Sequence, residues 1–338
     1  MAAPIRHVVI IVKENHTFDN YFGTFPGAAG VQLPPAADPM VVDPPHDHRA
    51  WLAGGGVRQQ YGRDDIPVYW AYAQQYSVCD NYFTDVASQS EPNHLFLVAA
   101  DSPVVDNSSP SRLYQPSPPF QLPNLPAALQ AAGRQWRNYA DANTSYFRHL
   151  ADLAASPWNV SSSRFDQDAS TGSLPDVAWL YAPDGLSEHP GDPHHTGRPG
   201  VRQGMQWTAD RVQAVASGPA WRQTAVFITW DDWGGWYDHV TPPLAQAWSG
   251  GGPVGYRDSQ FRYGPRVPCL AISPYAKQGI NHAFYSHASI VKFCLRLFGL
   301  KSWPAPALRP GDPSGDLWDC FDFAASPRVG VPATAPFP

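Results

Sequence analysis

The chain has 338 residues, with 23 Lys and Arg against 29 Asp and Glu, a formal net charge of −6. With only 15% of its residues charged it lacks the clustered cations that backbone-directed nucleic-acid binding requires, and 43% hydrophobic content excludes wholesale disorder. No apolar run approaches the roughly 20 residues of a membrane-spanning helix, so a soluble, globular chain is expected.

In chain order, residues 7–12 form a β-branched run that predicts a strand buried on both faces, ending at Lys13-Glu14-Asn15-His16. Residues 26–60 are rich in Pro and Gly and predict a long loop. Ser88 to Leu97 places hydroxyls just before a helix opened by Pro92. A loop over 102–123 follows, then a helix over 126–132 closed by Gly133, then a long loop over 158–200. A helix over 206–217 closes at Gly218, and the run 225–230 predicts a second buried strand that ends at Asp231-Asp232 and Gly234-Gly235. Residues 267–273 predict a third strand ending at Pro274-Tyr275, and 287–298 a helix closed by Gly299. Strands alternating with helices imply a largely parallel sheet covered on both faces, whose ligands sit at the carboxyl ends of the strands. The three polar strand ends are expected at that edge, walled by the long loops.

The four cysteines, Cys79, Cys269, Cys294 and Cys320, are too scattered for a disulfide framework. Buried free thiols are expected, although a Cys269–Cys294 bridge is also open. Met1 to Arg6 carries no basic segment followed by an apolar stretch and cleavage site. That leaves either a cytoplasmic protein or one whose leader has been removed.

If the first two strands are central, Glu14, Asn15, Asp231 and Asp232 converge. Carboxylates so close repel and raise one another's pKa, a problem that a divalent cation removes, and oxygen donors suit Mg, Ca, Mn or Zn. The plainer alternatives are a cap at Glu14 and a solvated turn at Asp231-Asp232. Ser88 or Ser90 caps the helix that follows, or else Ser90 is a nucleophile where helix N–H groups favour an anion. Among the 12 histidines, those at His46-Asp47-His48, Glu188-His189, His194-His195 and Asp238-His239 lie in loops and suit proton transfer. Asp238-His239 alternatively braces the Gly-Gly turn.

Together these pieces resemble a known family. Residues 14–23, Glu-Asn-His-Thr-Phe-Asp-Asn-Tyr-Phe-Gly, are similar to the opening motif of the bacterial phosphoesterase family of phospholipases C and acid phosphatases. Ser90-Glu91-Pro92-Asn93-His94 resembles its [ST]-x-P-N-R segment, Glu188-His189-Pro190 its central E-H-P, and residues 229–240 its T-x-D-[DE]-x-G-G-x-x-D-H-V block. Residues 264–268 and 286–289 match its closing segments.

The resemblance implies an alkaline-phosphatase-like three-layer α/β/α sandwich, here one domain over 1–338 with a tail from about 325. It implies one divalent metal ion held by Glu14, Asn15, Ser90, Asp231 and Asp232. Ser90 is then the nucleophile of a phospholipase C-type phosphodiesterase acting through a phosphoserine. His189 is the motif's candidate to protonate the leaving group; Asn93 and His195 are further catalytic candidates, and His46 and His48 lesser ones. The expected partner is a phosphate ester, a phospholipid headgroup among the candidates, with no nucleic acid. Two departures stand out: His94 occupies the motif's Arg position, and the short C-terminus leaves no room for accessory domains, which implies at most peripheral membrane contact. Trp230, Trp233 and Trp236 either surround an apolar or choline-like substituent or belong to the core. The alternatives are an acid phosphatase and, from another class, a non-catalytic metal-containing binding protein.

Overall fold

The β-branched run forms the middle of the molecule. His7–Lys13 is a strand paired in parallel on both sides, with Val177–Tyr181 on one and Thr224–Trp230 on the other. The computed structural model describes residues 3–141, 145–183, 185–191, 200–328 and 330. Among the described residues the main sheet has eight strands, in the spatial order Gly279–Asn281, Ser77–Cys79, Cys269–Ile272, Thr224–Trp230, His7–Lys13, Val177–Tyr181, Trp136–Tyr139 and Asn159–Val160.

The two faces are covered by different helices. Trp179 Nε1 donates to Leu97 O at 3.3 Å and the Phe227 and Phe293 rings lie 5.1 Å apart, so Ser90–Ala99 and His287–Phe298 pack on one face. On the other, Trp230 meets Tyr69 at 5.1 Å and Lys13 Nζ lies 5.2 Å from the Trp207 ring, which brings in Pro67–Gln75 and Val201–Ser217. The molecule is the three-layer α/β/α sandwich that the sequence implied. The His287–Phe298 helix begins and ends as read, with a Ser286/Ser289 capping box and Gly299 at φ 61°.

Two expectations are corrected. Cys269–Ile272 runs antiparallel to both its neighbours, so Pro274-Tyr275 lies at the opposite edge from the other polar strand ends. Its beginning, at Arg266, is what reaches the functional edge. The 158–200 region is no continuous loop: it contains the Phe165–Thr171 helix and the strand Val177–Tyr181, whose five residues are all buried beside the central strand.

The cysteines are buried free thiols and Cys269–Cys294 is not bridged; Cys79 Sγ instead approaches Cys320 Sγ at 3.7 Å. The chain remains against the body at Arg328, whose N–H donates to Pro274 O at 2.9 Å. No described helix is long and apolar enough to cross a membrane.

Candidate active site

Two central strands end side by side and deliver the acidic residues together. Asp231 N–H donates to Lys13 O at 2.9 Å, carrying the ladder one step past both strands. Asn15 then turns at φ 65°, a left-handed conformation that Asn tolerates better than most residues. Gly234, at φ 56°, crosses this turn so closely that a Cβ would lie 2.4 Å from Asn15 O, which reserves the position for glycine. Ser90 opens the Ser90–Ala99 helix from the neighbouring layer, and its Oγ donates to Asp232 Oδ2 at 3.0 Å. Ser88 is spent elsewhere, donating to Asp106 Oδ1 at 2.7 Å.

The charges are closely coupled. Burial raises both carboxyls. At Asp231 the bonds from His94, Ser90 and the Asn15 N–H outweigh burial and hold it below the usual carboxylate range. At Asp232 the neighbouring Asp231 charge adds to burial and drives it well above that range. One carboxyl of the pair therefore tends to keep a proton unless a cation balances the charge.

Asn15 supplies the test of whether a cation fits. Its amide oxygen lies 3.1 Å from Asp231 Oδ1 and 3.3 Å from Glu14 Oε2, acceptor facing acceptor, with the amide nitrogen 3.0 Å from His189 Nε2. Hydrogen bonding to the carboxylates alone favours the amide turned round. The histidines argue against that. His189 Nδ1 donates to Pro190 O at 2.8 Å and His46 Nδ1 to Pro44 O at 2.7 Å, so a neutral ring at either position carries its proton on Nδ1 and offers a bare Nε2. Those two lone pairs face the Asn15 nitrogen, His46 Nε2 at 3.4 Å, and accept its two N–H bonds. The oxygen is thereby held inward, among Glu14 and Asp231, where three oxygens converge as they do around a hard cation. The residues fit a divalent ion.

The remaining candidates separate. His189 and His46 face the site, and Trp233 Nε1 steadies His46 by donating to its carbonyl at 2.8 Å. Asp43 stands at the rim, 3.4 Å from His46 Nδ1. His48 does not reach the site; its ring bonds Ala87 O and Ser259 Oγ at 2.8 and 2.7 Å. Asn93 is also corrected: its amide is consumed by the backbone of Val86, Ser88 and Gln89, so it braces the turn that presents Ser90. His194 and His195 lie outside the described residues. His239 and Asp238 bond to Asp19 at 2.7 Å and to Arg266 at 2.8 Å, away from the Gly234-Gly235 turn, whose Gly234 N–H donates to Asp232 Oδ1 at 2.7 Å.

His94, a departure from the family pattern, belongs to this cluster. Its Nε2 lies 3.1 Å from Asp231 Oδ2 and 3.9 Å from Glu14 Oε1, between the Tyr146 and Tyr181 rings. The place it takes in the [ST]-x-P-N-R pattern was the available signal. The tryptophans belong to the core. Trp230 and Trp236 are fully buried and Trp233 nearly so, and their rings form no wall for a substrate substituent.

Comparison with known proteins follows the same outline. The Phosphoesterase family profile matches residues 5–42 and 45–301. A non-hemolytic phospholipase C of Pseudomonas aeruginosa is 26% identical over 99% of this chain and 58% of its own length, and one of Burkholderia pseudomallei is 29% identical over 95% and 59%. The chain thus spans less than two thirds of the length of these relatives. Human ectonucleotide pyrophosphatase/phosphodiesterase 5 superposes with a TM-score of 0.54 at 10% identity, over 94% of this chain and 100% of that one, a likeness of fold.

Proposed function

The chain belongs to the Phosphoesterase family, and on that premise we propose that it is a metal-dependent hydrolase of phosphate esters, of phospholipase C type, with Ser90 as its nucleophile. The observation that carries this reading is the Ser90 hydroxyl, 3.0 Å from Asp232 at the opening of a helix and beside the inward oxygens of Glu14, Asn15 and Asp231.

Glu14, Asn15, Asp231, Asp232 and Ser90 would hold the cation, which when bound lowers the pKa of the serine hydroxyl and neutralises charge on the phosphoryl oxygens. Ser90 Oγ attacks phosphorus while its proton passes to Asp232; the Oγ–P bond forms and the bond to the leaving alkoxide breaks. Of the first N–H groups of Ser90–Ala99, that of Glu91 goes to Asn107 Oδ1 at 2.7 Å and Pro92 has none, which leaves that of Ser90 to favour the phosphoryl charge. His189, neutral in the resting site, would enter the substrate complex as the imidazolium, its Nε2–H released from Asn15 and directed at the leaving oxygen, and give that proton to the alkoxide. Neutral again, it takes a proton from the attacking water; the new O–P bond forms as the Oγ–P bond breaks, and Asp232 returns its proton to Ser90 Oγ, which restores both residues. His46 sits on the other side of Asn15 and is the second imidazole able to serve.

Diesters are the favoured substrates, a phospholipid headgroup ester among them, because the relatives named above are phospholipases C. The burial of Trp230, Trp233 and Trp236 removes the aromatic argument for a choline-like group. It leaves acid phosphatase as the second reading. Purified protein assayed against an aryl phosphomonoester, an aryl phosphodiester and phosphatidylcholine, with and without chelator, separates the two. Monoester turnover equal to or above every diester establishes the phosphatase. Metal-independent turnover, or none at all, overturns the proposal.

A further inference from the structure

A second polar cluster lies on the reverse face of the sheet from the cleft, entirely buried. At its centre is the Glu188 carboxylate. Tyr21 and Tyr69 hydroxyls donate to it at 2.8 and 2.6 Å, Trp230 Nε1 donates at 3.0 Å, and Lys13 Nζ pairs with it at 3.2 Å. Lys13 also donates to Leu186 O at 2.6 Å and Gly204 O at 3.2 Å, so both charges are saturated with partners.

The members of this cluster are neighbours, in the chain, of the residues in the cleft. Lys13 precedes Glu14, Trp230 precedes Asp231, and Glu188 precedes His189. Successive residues at a strand end point to opposite faces, so clamping Lys13 and Trp230 behind the sheet fixes where Glu14 and Asp231 emerge in front. Glu188 is not on a strand and is held at φ 79°, a conformation a non-glycine residue keeps only when its surroundings impose it. Its backbone is tied as well: Glu188 O accepts from His16 Nε2 at 3.0 Å, and Ser187 O accepts from Glu14 N at 2.9 Å.

We propose that Glu188 is a positioning residue: with Lys13, Tyr21, Tyr69 and Trp230 it forms a buried hub that sets the relative placement of the Glu14-Asn15 turn, Asp231 and His189. Core filling alone does not call for this arrangement, since apolar residues of the same volume generally replace a buried ion pair without loss of stability. Fixing three separate segments around one carboxylate does call for it. The inference rests on the phosphoesterase reading for its kinetic consequences and on geometry alone for its effect on cation binding.

Tyr69→Phe removes one bond to Glu188 and no charge, and Glu188→Gln removes the charge. Both are compared with wild type and with Ser90→Ala by melting temperature, by Mn2+ titration calorimetry of the resting protein, and by kcat and KM on an aryl phosphodiester. Loss of a group that supports metal ligands typically costs 10- to 100-fold in metal affinity or activity. For folded Glu188→Gln the expectation is a kcat roughly 100-fold lower with KM within about two-fold, and Mn2+ bound about ten-fold more weakly. Tyr69→Phe should show a kcat loss of a few-fold on the same pattern. A variant that only weakened the fold would lower the melting temperature and leave the kcat and Mn2+ affinity of the folded fraction intact, and that result overturns the inference. Should Glu188→Gln not fold, Tyr69→Phe decides. If wild type fails to hydrolyse any ester and Ser90→Ala changes nothing, the phosphoesterase reading has failed, and the Mn2+ affinities alone decide the hub.

Discussion

At the scale of single residues, the site depends on which of two nearby serines is free to react. Ser88 is tied to Asp106 and Ser90 opens onto Asp232. Ser90→Ala is therefore expected to lower kcat by roughly three orders of magnitude or more, as loss of a nucleophile does. Mn2+ affinity should fall only modestly, because the carboxylates remain. Ser88→Ala should retain turnover within a few-fold. Asp231→Asn should lower Mn2+ occupancy and activity together, which metal analysis after dialysis and a parallel assay will show. Polar residues directly after buried strands, or opening a helix, made the convergence of Glu14, Asn15, Asp231, Asp232 and Ser90 one reading of the sequence beside caps and a solvated turn, and the family resemblance is what favoured it. The direction of a loop side chain is not encoded so simply. Asn93 and His94 are adjacent, yet one turns to the backbone and the other to Asp231. The proximity of Trp230, Trp233 and Trp236 to the aspartates in the sequence leaves a substrate wall and the core equally open, because it does not say whether a ring is exposed; all three are buried.

At the scale of elements, helix ends and the central strands were readable from β-branched runs and terminal glycines, whereas strand direction was not. Nothing in Cys269–Ile272 distinguishes parallel from antiparallel pairing; the direction is set by where the chain re-enters the sheet. Val177–Tyr181 escaped notice because five residues between Pro- and Gly-rich flanks are too short for periodicity to register. Packing between elements gives sharper expectations. Gly204 lies inside the Val201–Ser217 helix, where Ala ordinarily gains about 1 kcal/mol over Gly. Here a Cβ would sit 2.3 Å from Glu188 Cγ. Gly204→Ala is expected to lower both the melting temperature and kcat, and an increase in either contradicts the packing described.

Asp312 ties three elements at the far side of the fold, accepting from Arg262 Nη1 and Lys292 Nζ, each at 2.8 Å. Burial raises its pKa, but Arg262, Lys292 and Ser314 outweigh that and hold it below the ordinary 3.8. A carboxyl depressed in the folded state contributes stability that is fully present above its unfolded pKa and lost as pH falls through the folded one. Asp312→Asn should thus cost about 2 kcal/mol at pH 7, the scale of hydrogen bonds to a charged group. The gap to wild type should close in denaturant titrations as pH drops below 3.8.

At the scale of the whole molecule, cation binding and stability are linked. A cation that binds the folded chain and not the unfolded one stabilises it by about 2.7 kcal/mol at 100 times its Kd. Mn2+ should raise the melting temperature of wild type and not that of Asp231→Asn. The central claim is that phosphorus is transferred to Ser90, and trapping the covalent intermediate tests it most directly. Wild type mixed with a phosphate ester labelled at phosphorus, quenched in acid and digested, should carry the label on the peptide containing Ser90, and Ser90→Ala should carry none. Label on a histidine peptide, or turnover with no protein-bound phosphate at any quench time and full activity in Ser90→Ala, would contradict it.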